Sequence, residues 1–248
     1  MGGLAQPLLF LHQKLIFRLA KPPRLRPFIR LQRSLRGQSS YYSGEVEFAG
    51  CNVAGVDEAG RGPLAGPVFV AAVLLPAHFD DFGLDDSKRL NAKTRDIWAG
   101  RISAVAIHRI HRVDHGEIDR LNILQATMVG MALAVSRLSV VPDLVLIDGN
   151  RIPPGLPCPA RAEIKGDGRF SCIAAASVLA KTARDAYMVE MASLYPDYGF
   201  ERHFGYPTPE HFALLRKFGP CPIHRKSFAP VRALLGDATE QPCLIGLE

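Results

Sequence analysis

The sequence predicts an α/β fold built on a mixed sheet, and two observations carry that prediction. Cys51–Val56 and Pro67–Leu75 are apolar runs joined by a short glycine-rich turn, a hairpin-like return that makes their strands antiparallel. Glu117–Leu138 is then a long apolar helix leading into a further apolar strand that ends at Asp148, and a crossover of this kind is what a parallel strand requires. Antiparallel and parallel neighbours in one chain mean a mixed sheet flanked by helices.

The first strand delivers Asp57 and Glu58 at its C-terminal end, on opposite faces because successive strand residues alternate. Two adjacent carboxylates there suit a divalent cation, which prefers hard oxygen ligands and bridges protein to phosphate. Gly60-Arg61-Gly62 follows at once. Its glycines allow close backbone approach, so the turn's amides and the Arg61 guanidinium can hold a phosphate or a sugar. Taken alone, the same residues are equally a strand end and a solvated loop.

Pro76 ends the second strand, and Asp85–Leu90 is a polar turn whose Lys88 and Arg89 can reach a phosphate backbone. Asn91 is placed to cap a helix over 92–101, and Ile102–Val113 alternates as a third strand. His108, His111 and His115 lie near that strand, but no carboxylate or cysteine falls where it would complete a metal site. After the crossover helix, Asp148 opens a Gly-Asn turn; if its strand lies beside the first, Asp148 faces Asp57. On its own the Asp-Gly pair is an ordinary turn. Arg161–Lys165 is a short strand ended by Gly166-Asp167-Gly168. Phe170–Tyr195 is the strongest helix, with Ser171 as its cap and Ile173–Ala180 apolar nearly all round, so its first half is buried. Ser177, Lys181 and Asp185 share one face. Asp185 is either half of a surface pair with Lys181 or a carboxylate carried toward a site.

Beyond Tyr195 the chain becomes rich in aromatic residues, Gly and Pro, with a short helix at Pro209–Phe218. Residues 160–232 hold 11 basic and 7 acidic side chains, and bases interleaved with tyrosines fit a nucleic-acid groove as well as they fit a small helical cap. Cys221–Phe228 adds a basic turn expected to close over that groove, and nothing after Leu235 reads as structured.

Of the formal net charge of +6, eight basic residues lie in the acid-free stretch 1–44, leaving the remainder at −2. Binding by the folded part therefore rests on local patches rather than on a global field. The stretch has the composition of an organelle-targeting presequence and equally that of a poorly ordered extension or a start set too far upstream. Domain boundaries are accordingly expected at 1–47 for the extension, 48–235 for the fold and 236–248 for a tail. The five scattered cysteines, without a CxxC pair, predict free thiols rather than disulfides or zinc. No apolar run reaches the roughly 18 residues that span a bilayer.

These residues together resemble the ribonuclease H type 2 (ribonuclease HII) family. The motifs are Gly55–Pro67, Asp86-Ser-Lys88, Leu146–Asn150, Lys165-Gly-Asp167, Ala174–Asp185, Tyr198-Gly-Phe200, Gly205–Thr208 and His224–Phe228, in the family's order over about residues 50–232. The resemblance implies a ribonuclease H-like mixed five-stranded sheet flanked by helices, with a small helical C-terminal extension. It assigns the metal-binding carboxylates to Asp57, Glu58, Asp148 and Asp185, holding two Mg²⁺ or Mn²⁺ ions. It matches Gly60, Arg61 and Gly62 to the turn that contacts the 2′-OH and adjoining phosphates, and Tyr206 to the tyrosine that stacks on the following deoxynucleotide's sugar. Lys88, Asn150 and Lys165 match polar groove positions.

The implied activity is endonucleolytic hydrolysis of the RNA strand in RNA–DNA hybrids, and incision 5′ of single ribonucleotides in duplex DNA during their removal. The implied partners are those nucleic acids, with no membrane; monomer and a bacterial-type cytoplasmic location are the defaults. One departure is visible: His203-Phe-Gly-Tyr206 stands where the family usually has a lysine at the second position, so one phosphate contact is lost at Phe204. A catalytically silent hybrid-binding protein and another metal nuclease of the same fold are the alternatives. Intact carboxylates disfavour the first, and the Gly60-Arg61-Gly62 turn with its tyrosine segment disfavours the second.

Overall fold

The computed structural model describes residues 50–237 apart from His78, Asp85, Asp86 and Arg89. The expectations for residues 1–47, for Asp86 and Arg89, and for the tail beyond Asp237 lie outside the described residues. Strands β1 (Val53–Ala59), β2 (Val68–Leu74), β3 (Ile107–Val113), β4 (Leu144–Asp148) and β5 (Ala160–Glu163) form one sheet in the order β3-β2-β1-β4-β5. The β1–β2 and β2–β3 pairs are antiparallel, and the β1–β4 and β4–β5 pairs parallel. Helices α1 (Ala92–Val105), α2 (His115–Leu121) and α3 (Ile123–Ser136) come before β4, and α4 (Ser171–Leu194) after β5. Three short helices close the fold: α5 (Phe200–His203), α6 (Pro209–Phe218) and α7 (Ala229–Asp237).

Every residue of β2 is buried, as expected of a strand covered on both faces. On one face Ala54, Val56, Val70, Ala72, Val145 and Ile147 pack against Met131, Ala134 and Val135 of α3. On the other, Ala71 and Val73 pack against Trp98 and Ile102 of α1 and against Ala174–Ala180 of α4. Helix α4 lies unusually close to the sheet: a Cβ on Gly55 would sit 2.2 Å from the Cys172 carbonyl carbon. The run of small residues along Ala174–Ala176 is what permits that approach on the helix side.

Several element boundaries differ from the sequence reading, each for a local reason. Strand β1 continues through Ala59, because Asp57, Glu58 and Ala59 pair with Ala71, Val70 and Phe69; the two acids lie within the ladder rather than beyond it. Ile102 is a fully buried helical residue one turn after Trp98, so α1 runs on to Val105 and β3 starts at Ile107. The single crossover helix is two, bent by 118° at Asn122. Asn122 has φ 68°, and its side chain accepts the Gln125 amide at 3.1 Å, capping α3 anew. Strand β5 is Ala160–Glu163 rather than 161–165, because Lys165 is left-handed and begins a turn. Ser171 is the first helical residue instead of the cap, and its hydroxyl donates to Asp81. Helix α7 was not legible in the sequence. The four described cysteines are free, and among the described residues no single helix is long and apolar enough to cross a membrane.

The C-terminal part is a small core rather than an aromatic groove. Tyr198 and Phe200 are buried with Met188, Met191 and Ile223, whereas Tyr206 stays 36% exposed. Three histidines are buried in this core: His203 stacks on His211 with ring centroids 4.4 Å apart, and His211 and His224 are joined by hydrogen bonds that fix their tautomers. The Cys221 amide donates to His224 Nδ1 at 2.9 Å, so His224 Nε2 carries the proton and donates to His211 Nε2 at 3.1 Å. His211 Nδ1 then donates to the Tyr206 carbonyl at 2.9 Å. Burial pushes both His211 and His224 down to about 4.

Two predictions follow from this packing. The folded protein keeps His211 and His224 neutral to about pH 4, while the unfolded chain protonates them near 6.5. Stability is therefore lost as pH falls through that window, by on the order of 2 kcal/mol per histidine. Urea unfolding at pH 7 and pH 4.5 measures it, and His211→Gln shrinks the difference. Gly55→Ala drives a methyl into the α4 backbone and lowers unfolding stability by about 2 kcal/mol or more; an unchanged urea midpoint would contradict the contact.

Candidate active site

The parallel register sets Val56 beside Ile147, so the next residue on each strand is an acid and Asp57 stands next to Asp148. Gly55 abuts α4, and Leu146 packs on Ile173 of α4; alternation then points both acids toward that helix. There the Ser177 hydroxyl donates to Asp57, and it also shares a 2.8 Å hydrogen bond with Ser87 Oγ.

A third acid arrives from the turn after β5. Lys165 at φ 54° swings the chain back, and the Gly166 amide donates to Asp148 Oδ1 at 2.8 Å. Glycine is close-fitted there: a Cβ would meet Ile173 Cδ1 at 2.5 Å and Glu163 Cβ at 3.0 Å, so a larger residue requires those side chains to shift. The next residue, Asp167, then reaches the other two, and one oxygen from each of Asp57, Asp148 and Asp167 lies within 4.8 Å of the others. Asp167 was not among the sequence-derived metal ligands. Its signal was an acid followed by glycine at a strand end, the pattern also seen at Asp148-Gly149, but it was read only as a strand terminator.

Glu58 points to the other face of β1. It pairs with Arg61 at 3.3 Å and lines an open depression with Arg61, Asp148, Asn150 and Arg151. Asp185 stands apart from the three-acid cluster. Its carboxylate is engaged by Lys181 at 2.7 Å and by Arg95 at 3.5 Å. Arg95 in turn donates to the carbonyls of Ser87 and Leu90, so Asp185 helps to anchor the 87–90 loop against α4. The Lys181–Asp185 pair of the sequence reading is present, but both side chains are largely buried rather than on the surface.

Of the groove positions, Lys88 is 77% exposed with its amine 3.9 Å from Asp167. Asn150 and Lys165 are exposed, beside Asp148 and Asp167 in the chain. Gly60 has φ +100°, and a Cβ there would lie 2.1 Å from Arg184 Nε, so the turn can begin only with glycine. A Cβ on Gly62 would sit 3.8 Å from Tyr206 Cε1, which puts the tyrosine ring beside the turn. The basic turn expected to close over a groove instead sends Arg225 inward, fully buried.

Burial, and then the Glu58 and Asp148 carboxylates, hold the Asp57 pKa well above the usual carboxylate range, against hydrogen bonds from Ser177 and the Glu58 amide. Burial also raises Glu58, and Arg61 opposes it. An all-oxygen set of acids that disfavour one another's charge is the donor chemistry that a hard divalent cation satisfies. Asp57, Asp148 and Asp167 fit such an ion, with Glu58 on the adjoining depression for a second.

A family model described as Ribonuclease HII matches residues 54–231. A Ribonuclease HII of Maricaulis maris (strain MCS10) is 57% identical over 183 residues, 74% of this chain and 84% of the relative. One from Marinomonas sp. (strain MWYL1) is 52% identical over 184 residues, 74% of this chain and 92% of the relative. The crystal structure of the ribonuclease H2 from Pyrococcus horikoshii OT3 is similar at a TM-score of 0.66 and 25% identity, over 76% of this chain and 99% of that one.

Cation binding to the acid cluster is expected to stabilise the fold by about 3 kcal/mol at a hundredfold excess over the dissociation constant. Thermal unfolding with and without Mn²⁺ reads this as a rise of roughly 6–12 degrees. Asp167→Asn removes most of the increment and Asp185→Asn leaves it; the reverse pattern would restore Asp185 to the metal set.

Proposed function

The chain belongs to the ribonuclease HII family and is an endoribonuclease, and from that premise we propose that it cuts the RNA strand of RNA–DNA hybrids and incises duplex DNA 5′ of a single embedded ribonucleotide. The products are a 5′-phosphate and a 3′-hydroxyl, and the biological outcome is removal of ribonucleotides from DNA. The observation that carries this reading is the three-acid cluster of Asp57, Asp148 and Asp167 in the same site as the Gly60-Arg61-Gly62 turn and the ring of Tyr206.

Asp57, Asp148 and Asp167 are the residues that hold the metal, joined by Glu58 from the other face of β1. Mg²⁺ or Mn²⁺ held by these residues would supply activation of a water and neutralisation of charge on the scissile phosphate and the leaving 3′-oxygen. Ser177 orients Asp57, and the Gly166 amide orients Asp148, so neither carboxylate turns away between turnovers. Lys88 stands over Asp167 on the solvent side, where a substrate phosphate meets the acids.

Only the 2′-OH tells RNA from DNA at a given position, and the Gly60-Arg61-Gly62 turn offers backbone groups to read it. Tyr206 lies over that turn with Lys181 and Arg184 behind its ring, at 5.8 and 5.5 Å, a platform on which the next sugar stacks. No histidine is called on as a base: His203, His211 and His224 are buried in the C-terminal core.

Incubation of a labelled duplex containing one ribonucleotide is expected to give metal-dependent incision on its 5′ side, with none on an all-DNA control and none with chelator. Cutting of both duplexes would make the protein a general nuclease. Asp148→Asn and Asp167→Asn are expected to lower kcat by at least about 10²-fold while remaining folded, and Asp185→Asn to keep most of the activity. Tyr206→Ala is expected to lose more on the single-ribonucleotide duplex than on a long hybrid; equal losses would refute a junction-reading role.

A further inference from the structure

Two arginines are fully buried beside the glycine-rich turn, and among the described residues neither forms an ion pair. Their hydrogen bonds go to backbone carbonyls, and Arg184 Nη1 is buried without a hydrogen-bond partner. Arg225 Nη2 donates to the Gly60 carbonyl at 2.6 Å, Nη1 to that of Arg61 at 2.9 Å and Nε to that of Gly66 at 2.8 Å. Arg184 donates to the carbonyls of Pro67, Ala65 and Phe204 at 3.3, 3.2 and 3.0 Å. The main chain of Arg225 is itself fixed to the same segment, its amide donating to the Leu64 carbonyl at 2.8 Å.

In a trans peptide the C=O of one residue and the N–H of the next point in opposite directions, and none of the described peptide bonds is cis. A Gly60 carbonyl aimed at Arg225 therefore aims the Arg61 amide away from it, and the Arg61 carbonyl does the same for the Gly62 amide. Among the described residues no hydrogen bond takes up either amide. The two carbonyls are gathered by the two nitrogens of one planar fork, which a lysine cannot reproduce. With the carbonyls drawn inward, the turn offers an oxygen ligand donors rather than repelling acceptors.

We propose that Arg225 is a positioning residue for ribonucleotide recognition: its buried guanidinium sets the peptide planes of the turn so that the Arg61 and Gly62 amides face the sugar and phosphate oxygens of the bound ribonucleotide. The proposal rests on the ribonuclease reading above and adds to it the group that orients the reader. It also explains why so polar a side chain is buried without an acid: its partners are the carbonyls that must not face the substrate. The acid that bears on it, Asp119, is occupied with the Lys226 and Ser227 amides, and the other charge felt by Arg225 is that of Arg184.

The test uses the full chain. Fluorescence anisotropy with Ca²⁺ as the cation gives the affinity ratio between a single-ribonucleotide duplex and the matching all-DNA duplex, for the wild type and for Arg225→Lys. The lysine keeps the charge and loses the fork, so the ratio is expected to fall at least tenfold, at a temperature where thermal unfolding shows the variant folded. A scaffold role alone would lower the unfolding temperature and leave the ratio unchanged, overturning the proposal. A wild type that shows no preference for the ribonucleotide would overturn the functional reading as well.

A second measurement does not depend on the variant. In ¹⁵N-labelled wild-type protein, the Arg61 and Gly62 amides are expected to exchange rapidly with solvent when free, and at least tenfold more slowly with the ribonucleotide duplex bound. Slow exchange in the free protein would mean inward-facing amides and would overturn the proposal.

Discussion

How closely helix α4 can lie against strand β1 decides where every acid of the site stands. Gly55 has no side chain because the Cys172 carbonyl carbon occupies the place, 2.2 Å from where a Cβ would be. With that contact made, Ser177 arrives under Asp57, and Ile173 presses on the Gly166 turn that supports Asp148. The same helix, two turns beyond Ser177, carries Arg184 beneath the substrate-facing turn. One rigid element thus sets both the acidic and the basic side of the site, and interiors packed at crystal-like density transmit such placement with little slack.

The two sides hold opposite charges without neutralising one another. Burial and mutual repulsion penalise ionisation of Asp57, and burial and Arg184 press the Arg225 pKa down to about 9. Glu58 and Arg61 bridge the divide at 3.3 Å on the rim, and Lys88 approaches Asp167 to 3.9 Å. A substrate that brings divalent cations to the acids and oxygens to the amides relieves both penalties together, which is electrostatic preorganisation in its usual form.

The antiparallel β1–β2 pair and the parallel strand that brings Asp148 to Asp57 were legible because they follow from apolar runs and a crossover helix; the full strand order was not. Helix ends were less so. Asn122 interrupts a continuous apolar pattern through its own side-chain hydrogen bond, which hydrophobic periodicity does not register. Asp185 was assigned through the family resemblance, its helix position alone leaving a pair with Lys181 equally open, whereas Asp167 reaches the site through a left-handed Lys165 and a glycine fitted against Ile173. Those are tertiary facts with no local signature. Arg225 was misread for a related reason: a basic residue in a polar turn is normally solvated, and only the convergence of three carbonyls makes its burial tolerable.

The site is also assembled from parts that are distant in the chain. Ser87 meets Ser177 across 90 residues, and Gly60 is held by Arg225 across 165. Residues 57–62 bring two acids and the turn together locally, but the remaining parts come from far along the chain, and contacts of such separation form late because their loops must close first. A ribosome-bound chain that has not yet released Arg225 has its acids in hand but no ordered turn to aim them. The turn is thus complete only when nearly the whole fold has been made.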